Sequence, residues 1–296
     1  MKITKTIFAL GCVLFFSNCN YGQNNFTNQD HQKSNTKISE AAQEGIVYIP
    51  DKKFKSYLLS NVAINTNGDN EISTAEANAF TGRIYCFDMG ISDLTGIEAF
   101  TSLTSLHCGL NRLTSLNINK NKALKTLNCS LNQLTSLNIQ NNTNLLELDC
   151  SQNKITELNT SNNTQLTELH CFVNKLINLD VSNLKALQIL ICSTNQLTEL
   201  DLRNNLSLEM LVCDKNQITS LDLHKNIALK YFFSKNNKLT SLNLNNNHNT
   251  LIERIETKNN VNLRCIVVDN PTFSTNNWNG ELFQFDEELI FNKVCD

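Results

Sequence analysis

Eleven cysteines and five histidines are the first side chains to ask about chemistry in this 296-residue sequence. Six of the cysteines, Cys108, Cys129, Cys150, Cys171, Cys192 and Cys213, recur with a 21-residue period. A metal ladder, a redox array and plain packing are the three readings of such a row. Metal ligands must cluster around one point, and one thiol per period does not provide that. Consecutive members come within disulfide reach, but side chains at equivalent positions run parallel and do not converge. Packing fits, because cysteine is a small and well-buried hydrophobe. The histidines, His31, His107, His170, His224 and His248, are scattered, and they read as lone surface residues. Glu147 and Asp149 lie close together, but on a surface and not in a cleft. No Ser/His/Asp set, phosphate-cradling glycine loop or H-E-x-x-H pattern occurs, so the chain reads as a non-enzyme.

A second group is more specific. Asn65-Thr-Asn67-Gly-Asp69-Asn-Glu71-Ile72-Ser73-Thr-Ala-Glu76 puts oxygen donors at positions 1, 3, 5, 7, 9 and 12 of a 12-residue loop. That is the EF-hand pattern for calcium, with Glu71 contributing its backbone carbonyl. Asn65 stands where aspartate is usual and Asn70 where glycine is usual, although asparagine tolerates a left-handed turn. Fewer anionic ligands mean weaker binding. The expected cofactor is calcium at Asn65, Asn67, Asp69, Glu71 and Glu76, set against a degenerate loop that only joins two helices.

The rest of the chain must position these groups. Its formal net charge is -3 and it has no basic stripe, which argues against a nucleic-acid partner. Lys2, Lys5 and the apolar run Ile7 to Phe16 read as an export signal too short to span a bilayer. Two processing routes stay open. One is cleavage near Gly22, giving a signal peptide over residues 1–22. The other is a lipoprotein signal over 1–18, with lipidation of Cys19 as the new N-terminus. No later segment is apolar enough to cross a membrane. The expected location is extracytoplasmic, as a secreted protein or an outer-membrane lipoprotein. Residues 23–45 are polar and read as a disordered tether. Residues 46–80 read as a small helical cap. Phe54, Tyr57, Leu58 and Val62 have helical spacing over Lys52 to Ile64, Asp51 is placed to cap that helix, and Thr74 to Phe80 forms a second.

A repeat fills residues 81–262. Leu103-Thr-Ser-Leu106-His-Cys108-Gly-Leu-Asn111-Arg-Leu113 returns from Leu124, Leu145, Leu166, Leu187, Leu208 and Leu229. Its asparagine row is Asn111, Asn132, Asn153, Asn174, Asn195, Asn216 and Asn237. An imperfect turn precedes it, with Cys86 one residue further from Cys108 than the period requires, and the frame slips after Asn249. Leu106-x-Cys108 has period 2, so both residues face one side of a short strand. Stacked in parallel at about 4.8 Å, roughly eight turns make a rod on the order of 40 Å long. No turn buries its own face, so the core exists only through stacking. Where the chain leaves each strand its backbone loses sheet partners, and a buried amide, both donor and acceptor, replaces them. The second half of each turn, Leu113-x-x-Leu116-x-Ile118-x-x-Asn121, is expected to be extended, with a second short strand in place of a helix.

These rows resemble the bacterial internalin-type leucine-rich-repeat proteins, in particular a branch with a 21-residue cysteine ladder. Ile91-Ser-Asp-Leu94-Thr-Gly-Ile97 through Leu103 is similar to that family's first repeat. Cys265-Ile-Val-Val-Asp269, with Asn277-Trp278 and Cys295, resembles a closing cap over 263–296. The resemblance implies a leucine-rich-repeat solenoid with parallel strands on its concave face. It implies a cell-surface role in adhesion or protein binding through that face. Cys265 and Cys295 stand outside the cysteine row, in the cap, and are expected to form a disulfide that staples the end.

Function is then expected where the repeat leaves positions free. The outward strand positions read Ser105, Thr126, Glu147, Glu168, Ile189, Met210 and Tyr231 in one row. The next reads His107, Asn128, Asp149, His170, Ile191, Val212 and Phe233, with Phe172 beside it where earlier turns have glycine or serine. The opposite half-turns repeat Asn or Asp. An exposed apolar patch marks an interaction site. The expected contact set is Phe172, Ile189, Ile191, Met210, Val212, Tyr231 and Phe233, bordered by Glu147, Asp149, Glu168 and His170. The expected partner is a protein or glycan at the cell surface, met by a monomer. The competing reading is a passive spacer without a specific ligand.

Overall fold

The computed structural model describes residues 45–295; the export signal, Cys19 and nearly all of the tether lie outside that range. Helix α1 spans Lys52–Ser60 and α2 Thr74–Ala79. Asp51 caps α1, accepting from the Lys53 and Phe54 amides at 2.9 and 3.1 Å. Its other oxygen accepts from Ser92 N at 2.8 Å, so the same carboxylate ties the helix to the first turn of the repeat. The helix stops short of the expected Ile64 because Asn61 leaves the helical conformation, and Val62 is exposed instead of facing the core. Ser73 and Glu76 form a capping box on α2. Gly96, at φ +102°, marks where the cap segment crosses the first turn: a Cβ there would sit 2.8 Å from Ile49 Cγ1 and 2.9 Å from Tyr48 O.

Ten parallel strands then make one sheet: β1 (Arg83–Tyr85), β2 (Ser105–His107), β3 (Thr126–Asn128), β4 (Glu147–Asp149), β5 (Glu168–His170), β6 (Ile189–Ile191), β7 (Met210–Val212), β9 (Tyr231–Phe233), β11 (Arg254–Glu256) and β13 (Phe283–Gln284). Each strand pairs in register with its neighbour, so Leu106, Leu127, Leu148, Leu169, Leu190, Leu211 and Phe232 form one stack. These residues and the cysteine row are buried. At about 1.5–3 kcal/mol per buried side chain, their stacking drives assembly. The seven cysteines from Cys86 to Cys213 are free thiols. Burial pushes them up, to about 12 at Cys86 and Cys192, so no thiolate is populated and the row serves packing.

The asparagine ladder forms as expected. Asn132 Nδ2 donates to the carbonyls of Cys108, Cys129 and Ser130, and its Oδ1 accepts from Leu113 N at 2.9 Å. Equivalent bonds recur at Asn153, Asn195 and Asn216. Just before each ladder residue the backbone is left-handed, through Leu110, Leu131, Gln152, Val173, Thr194, Lys215 and Asn236 in turn. Asn121, Asn142, Asn163, Asn205 and Asn226 form a second buried row, whose amides donate to two carbonyls each. Leu184 interrupts it.

Two expectations need correcting. The opposite half-turns are extended throughout but become strands only toward the C-terminus: β8 (Ser220–Asp222), β10 (Ser241–Asn243), β12 (Cys265–Val267) and β14 (Ile290–Asn292) form a second parallel sheet. The closing segment also continues the stack, since β13 adds a rung to the long sheet and β14 a rung to the short one. The long sheet therefore has ten rungs, not eight. Helix α3 (Pro271–Asn277) brings Trp278 into the core near Phe291, centroids 5.5 Å apart. The expected disulfide joins Cys265 in β12 to Cys295, with Cα atoms 5.8 Å apart.

Candidate functional site

The outward face of the long sheet divides by rung. On β1 to β5 it is polar and, apart from the buried Ser105, at least partly accessible. Tyr85 is 51% exposed and stands against Phe87 and His107, with centroids 6.1 and 5.6 Å away. Burial lowers the His107 pKa, and Arg83 adds to this. Thr126, Asn128, Glu147, Asp149, Glu168, His170 and Phe172 follow, each partly exposed. Asn128 Nδ2 donates to Asp149 Oδ2 at 3.1 Å. Glu147 is paired in register with Glu168, and Asp149 with His170. Like charges directly opposite on neighbouring strands are unfavourable. Among the described residues, none of these three carboxylates has an ion-pair partner. Ser105 Oγ, His107 Nε2 and His170 Nε2 are buried atoms with no hydrogen-bond partner.

The apolar part differs from expectation. Ile189, Ile191, Met210, Val212 and Phe233 are 4, 5, 0, 3 and 6% exposed. They are not an open patch. In-register pairing sets Ile189 against Met210 and Met210 against Tyr231, and likewise Ile191 against Val212 and Val212 against Phe233, while the Arg254 guanidinium covers the Phe233 ring at 5.3 Å. Tyr231 stays partly exposed and its hydroxyl donates to Glu253. The signal was present in the sequence: Ile189-Leu-Ile191 and Met210-Leu-Val212 are apolar at all three positions, the pattern of a parallel strand buried on both faces.

The same end holds a charged cluster that the spacing did not reveal. Glu256, 2% exposed, pairs with both Lys235 and Arg254. Burial pushes its carboxyl up, but those two cations outweigh it and hold the pKa below the usual range. Asp214 accepts from Lys235 N at 2.6 Å. Burial raises its pKa to about 6, against the opposing effect of Lys235. An unfolded aspartate titrates near ~3.9. The folded state therefore holds this proton more tightly, and the stability it contributes is present below about pH 4 and lost as pH rises through about 6. Its size is at most ~3 kcal/mol, less any solvent screening. Thermal melts of the wild type should fall over that window relative to Asp214→Asn, and parallel pH profiles for the two would contradict the assignment.

An open hollow of about 560 Å³ lies on the opposite half-turns, lined by Thr156, Leu158, Thr160, Ile177 and Asp180. It forms where Thr160 stands in a row that is otherwise Ile118, Ile139, Val181, Leu202 and Leu223, and its titratable lining residues are Glu157 and Asp180.

Solved structures share this stacked geometry. Internalin C2 from Listeria monocytogenes superposes with a TM-score of 0.59 at 22% identity, over 74% of this chain and 93% of its own. The fold is a leucine-rich-repeat solenoid. A leucine-rich-repeat protein of Leptospira interrogans aligns at 25% identity and TM-score 0.53, over 60% of this chain and 51% of its own. The functional domain of InlJ from Listeria monocytogenes, which includes a cysteine ladder, aligns at 24% identity and TM-score 0.47, over 80% of this chain and 69% of its own. No protein-family model matches the sequence, and no curated protein does. Among the described residues, no helix of this leucine-rich-repeat chain is long and apolar enough to cross a membrane. They also hold no cluster of three or more His, Cys, Asp or Glu suited to a metal.

Proposed function

We propose that the chain is an extracytoplasmic binding module that holds a protein partner against the outward rows of its long sheet, in an adhesive role at the cell surface. The observation that carries this is the opposed Glu147 and Glu168 on the outward face of the long sheet, with Asp149 beside them and no ion-pair partner for any of the three among the described residues. Like charges opposite one another on neighbouring strands repel. A partner with basic side chains relieves that repulsion, and His170, Phe172 and Tyr85 supply flanking contacts. Ile189, Ile191, Met210, Val212 and Phe233 then act by shaping the floor beside the contact, with Tyr231 at its margin. Export through residues 1–22, or through lipidation of Cys19, would bring the module to its partner.

The test is saturable capture of a cell-surface protein by the full chain. Glu147→Lys with Glu168→Lys should weaken capture at least ~10-fold, since buried or half-buried charge reversal costs several kcal/mol at an interface. Asp180→Lys with Asp201→Lys, on the opposite half-turns, should leave it unchanged. Capture lost only with the second pair would move the site to the other face. No saturable partner for any version would leave the passive spacer, and selective capture of neutral glycans would replace the protein partner.

A further inference from the structure

We infer that the loop over residues 65–76 in the N-terminal cap is a calcium site, and that the ion fastens the cap to the solenoid. The starting observation is one atom. Asn65 is 7% exposed, and its Oδ1 is buried without a hydrogen-bond partner. Its Nδ2 donates to Leu59 O and to Asp69 O, at 3.3 and 2.9 Å. Flipping the amide would aim an acceptor at two carbonyls, so Oδ1 is held as an acceptor inside the loop. A buried acceptor left empty costs about 1–3 kcal/mol. The Oδ1 atoms of Asn121, Asn142, Asn163, Asn205 and Asn226 in the repeat share that state. What sets Asn65 apart is its place at position 1 of a loop of oxygen donors, where a cation satisfies it.

The charges around it agree. The loop region carries three carboxylates, and Lys55 neutralises one of them, binding both oxygens of Glu71 at 2.7 Å. Asp69 and Glu76 have no ion-pair partner among the described residues. This divides the work at Glu71, whose side chain answers Lys55 while its carbonyl is left for the loop. Glu76 Oε1 accepts from Thr66 N at 2.8 Å and Asn67 N at 3.3 Å, so the last carboxylate of the loop already reaches back to its first residues. Asp69 Oδ1 and Oδ2 accept one bond each, from Glu71 N and Asn67 Nδ2, and keep a lone pair for a metal, whereas Glu76 must exchange its bonds to Thr66, Asn67 and Ser73 for the ion. The set is all oxygen and mostly neutral, with Asp69 and Glu76 as its anions. That suits calcium, which accepts irregular coordination, over magnesium, which demands a small octahedron. The left-handed residue of the loop is Gly68, at φ +71°, and not Asn70 as the EF-hand pattern leads one to expect. Together with the missing position-1 aspartate, this puts the affinity at the weak end, with Kd about 0.1–1 mM.

The loop is also where the cap is joined. Val47 N donates to Ile72 O at 2.8 Å, Ile46 bridges Ser73, and Tyr57 Oη on α1 accepts from Tyr85 N of β1 at 2.8 Å. An ion holding residues 65 to 76 together therefore fixes both helices over the first rung. The experiment is calorimetric titration of the full chain with calcium chloride from a chelator-stripped start, with melting curves beside it. The expected result is saturable heat and a melting point about 3–5 °C higher at about 10 mM calcium, with a smaller effect of magnesium. Asp69→Asn should abolish the response. Asn65→Asp supplies the missing charge but replaces the Nδ2 that donates to Leu59 O and Asp69 O with an acceptor, so it should melt lower without calcium and gain more from calcium than the wild type. If neither the wild type nor Asn65→Asp responds to calcium, the inference is overturned. An equal response in Asp69→Asn overturns it as well, by showing that the ion binds elsewhere.

Discussion

Replacing Asn195 with alanine is expected to lower the unfolding free energy by about 3–5 kcal/mol. The side chain is buried and makes four bonds at once. Nδ2 donates to Cys171 O, Cys192 O and Ser193 O at 3.1, 3.0 and 3.4 Å, and Oδ1 accepts from Leu176 N at 3.0 Å. One amide thus ties its own turn to the turn before it. Alanine leaves all four backbone groups in an interior closed above and below by similar turns, and each stranded group costs about 1–3 kcal/mol unless water enters. Asn138→Ala is the matched control, because that side chain is exposed and only accepts from the Gln140 amide, at 3.0 Å; it should change stability by less than ~0.5 kcal/mol. Urea denaturation of the two variants measures the difference. A loss below ~1 kcal/mol for Asn195→Ala would mean that the ladder is replaceable and that the leucine stack alone holds the turns.

Opening the Cys265–Cys295 bond has the second largest expected effect. The bridge spans 30 residues, and closing a loop of that length removes unfolded-state entropy worth about 3–4 kcal/mol. The effect should be local. The bridge holds β14 against β12, with Trp278 packed between α3 and the Phe283 and Phe291 rings, whereas each earlier turn contacts only its neighbours. Cys295→Ser should speed hydrogen exchange across β12, β13 and β14 and leave β2 to β6 as protected as before. Added reductant should reproduce the change in the wild type, since the other described cysteines are already thiols. Uniform deprotection along the whole stack would show instead that the molecule unfolds as a single unit.

What could be read from the sequence follows from periodicity. The Leu, Cys and Asn rows keep one register over successive turns, and register converts directly into stacking, so the sheet, the ladder and the thiol packing were all legible. Cap helices showed through their spacing, and the end of α1 was misplaced because a single residue, Asn61, decides it. The second sheet was legible as extended chain but not as strand, since the segments that stay unpaired and those that pair have the same L-x-x-L-x-I pattern. At the candidate face, the acidic rungs were visible because they break the repeat. The burial of Ile189 to Phe233 was missed because outward positions were assumed to meet solvent. The Asp214, Lys235, Arg254 and Glu256 cluster was hidden by the frame slip. The starts of β9 and β11, Tyr231 and Arg254, are two positions further apart than the period, so Glu256 faces Phe233 from outside the repeat frame. Nothing in spacing could reveal the orphaned Oδ1 of Asn65, which is a property of three-dimensional placement alone.

The in-register parallel pairing has a mechanical consequence. All the bonds that join one rung to the next run along the stacking direction. Tension applied at the two ends of the chain therefore falls on one rung at a time, and does not shear many together. Each rung that lets go frees one full turn of chain, about 70 Å of slack when extended, and its neighbour then takes the strain. The bridge between Cys265 and Cys295 withholds the closing loop from this release. A molecule of this build, tethered at one end and gripped along its sheet, would lengthen in even steps and absorb a pull before its contact with a partner is broken.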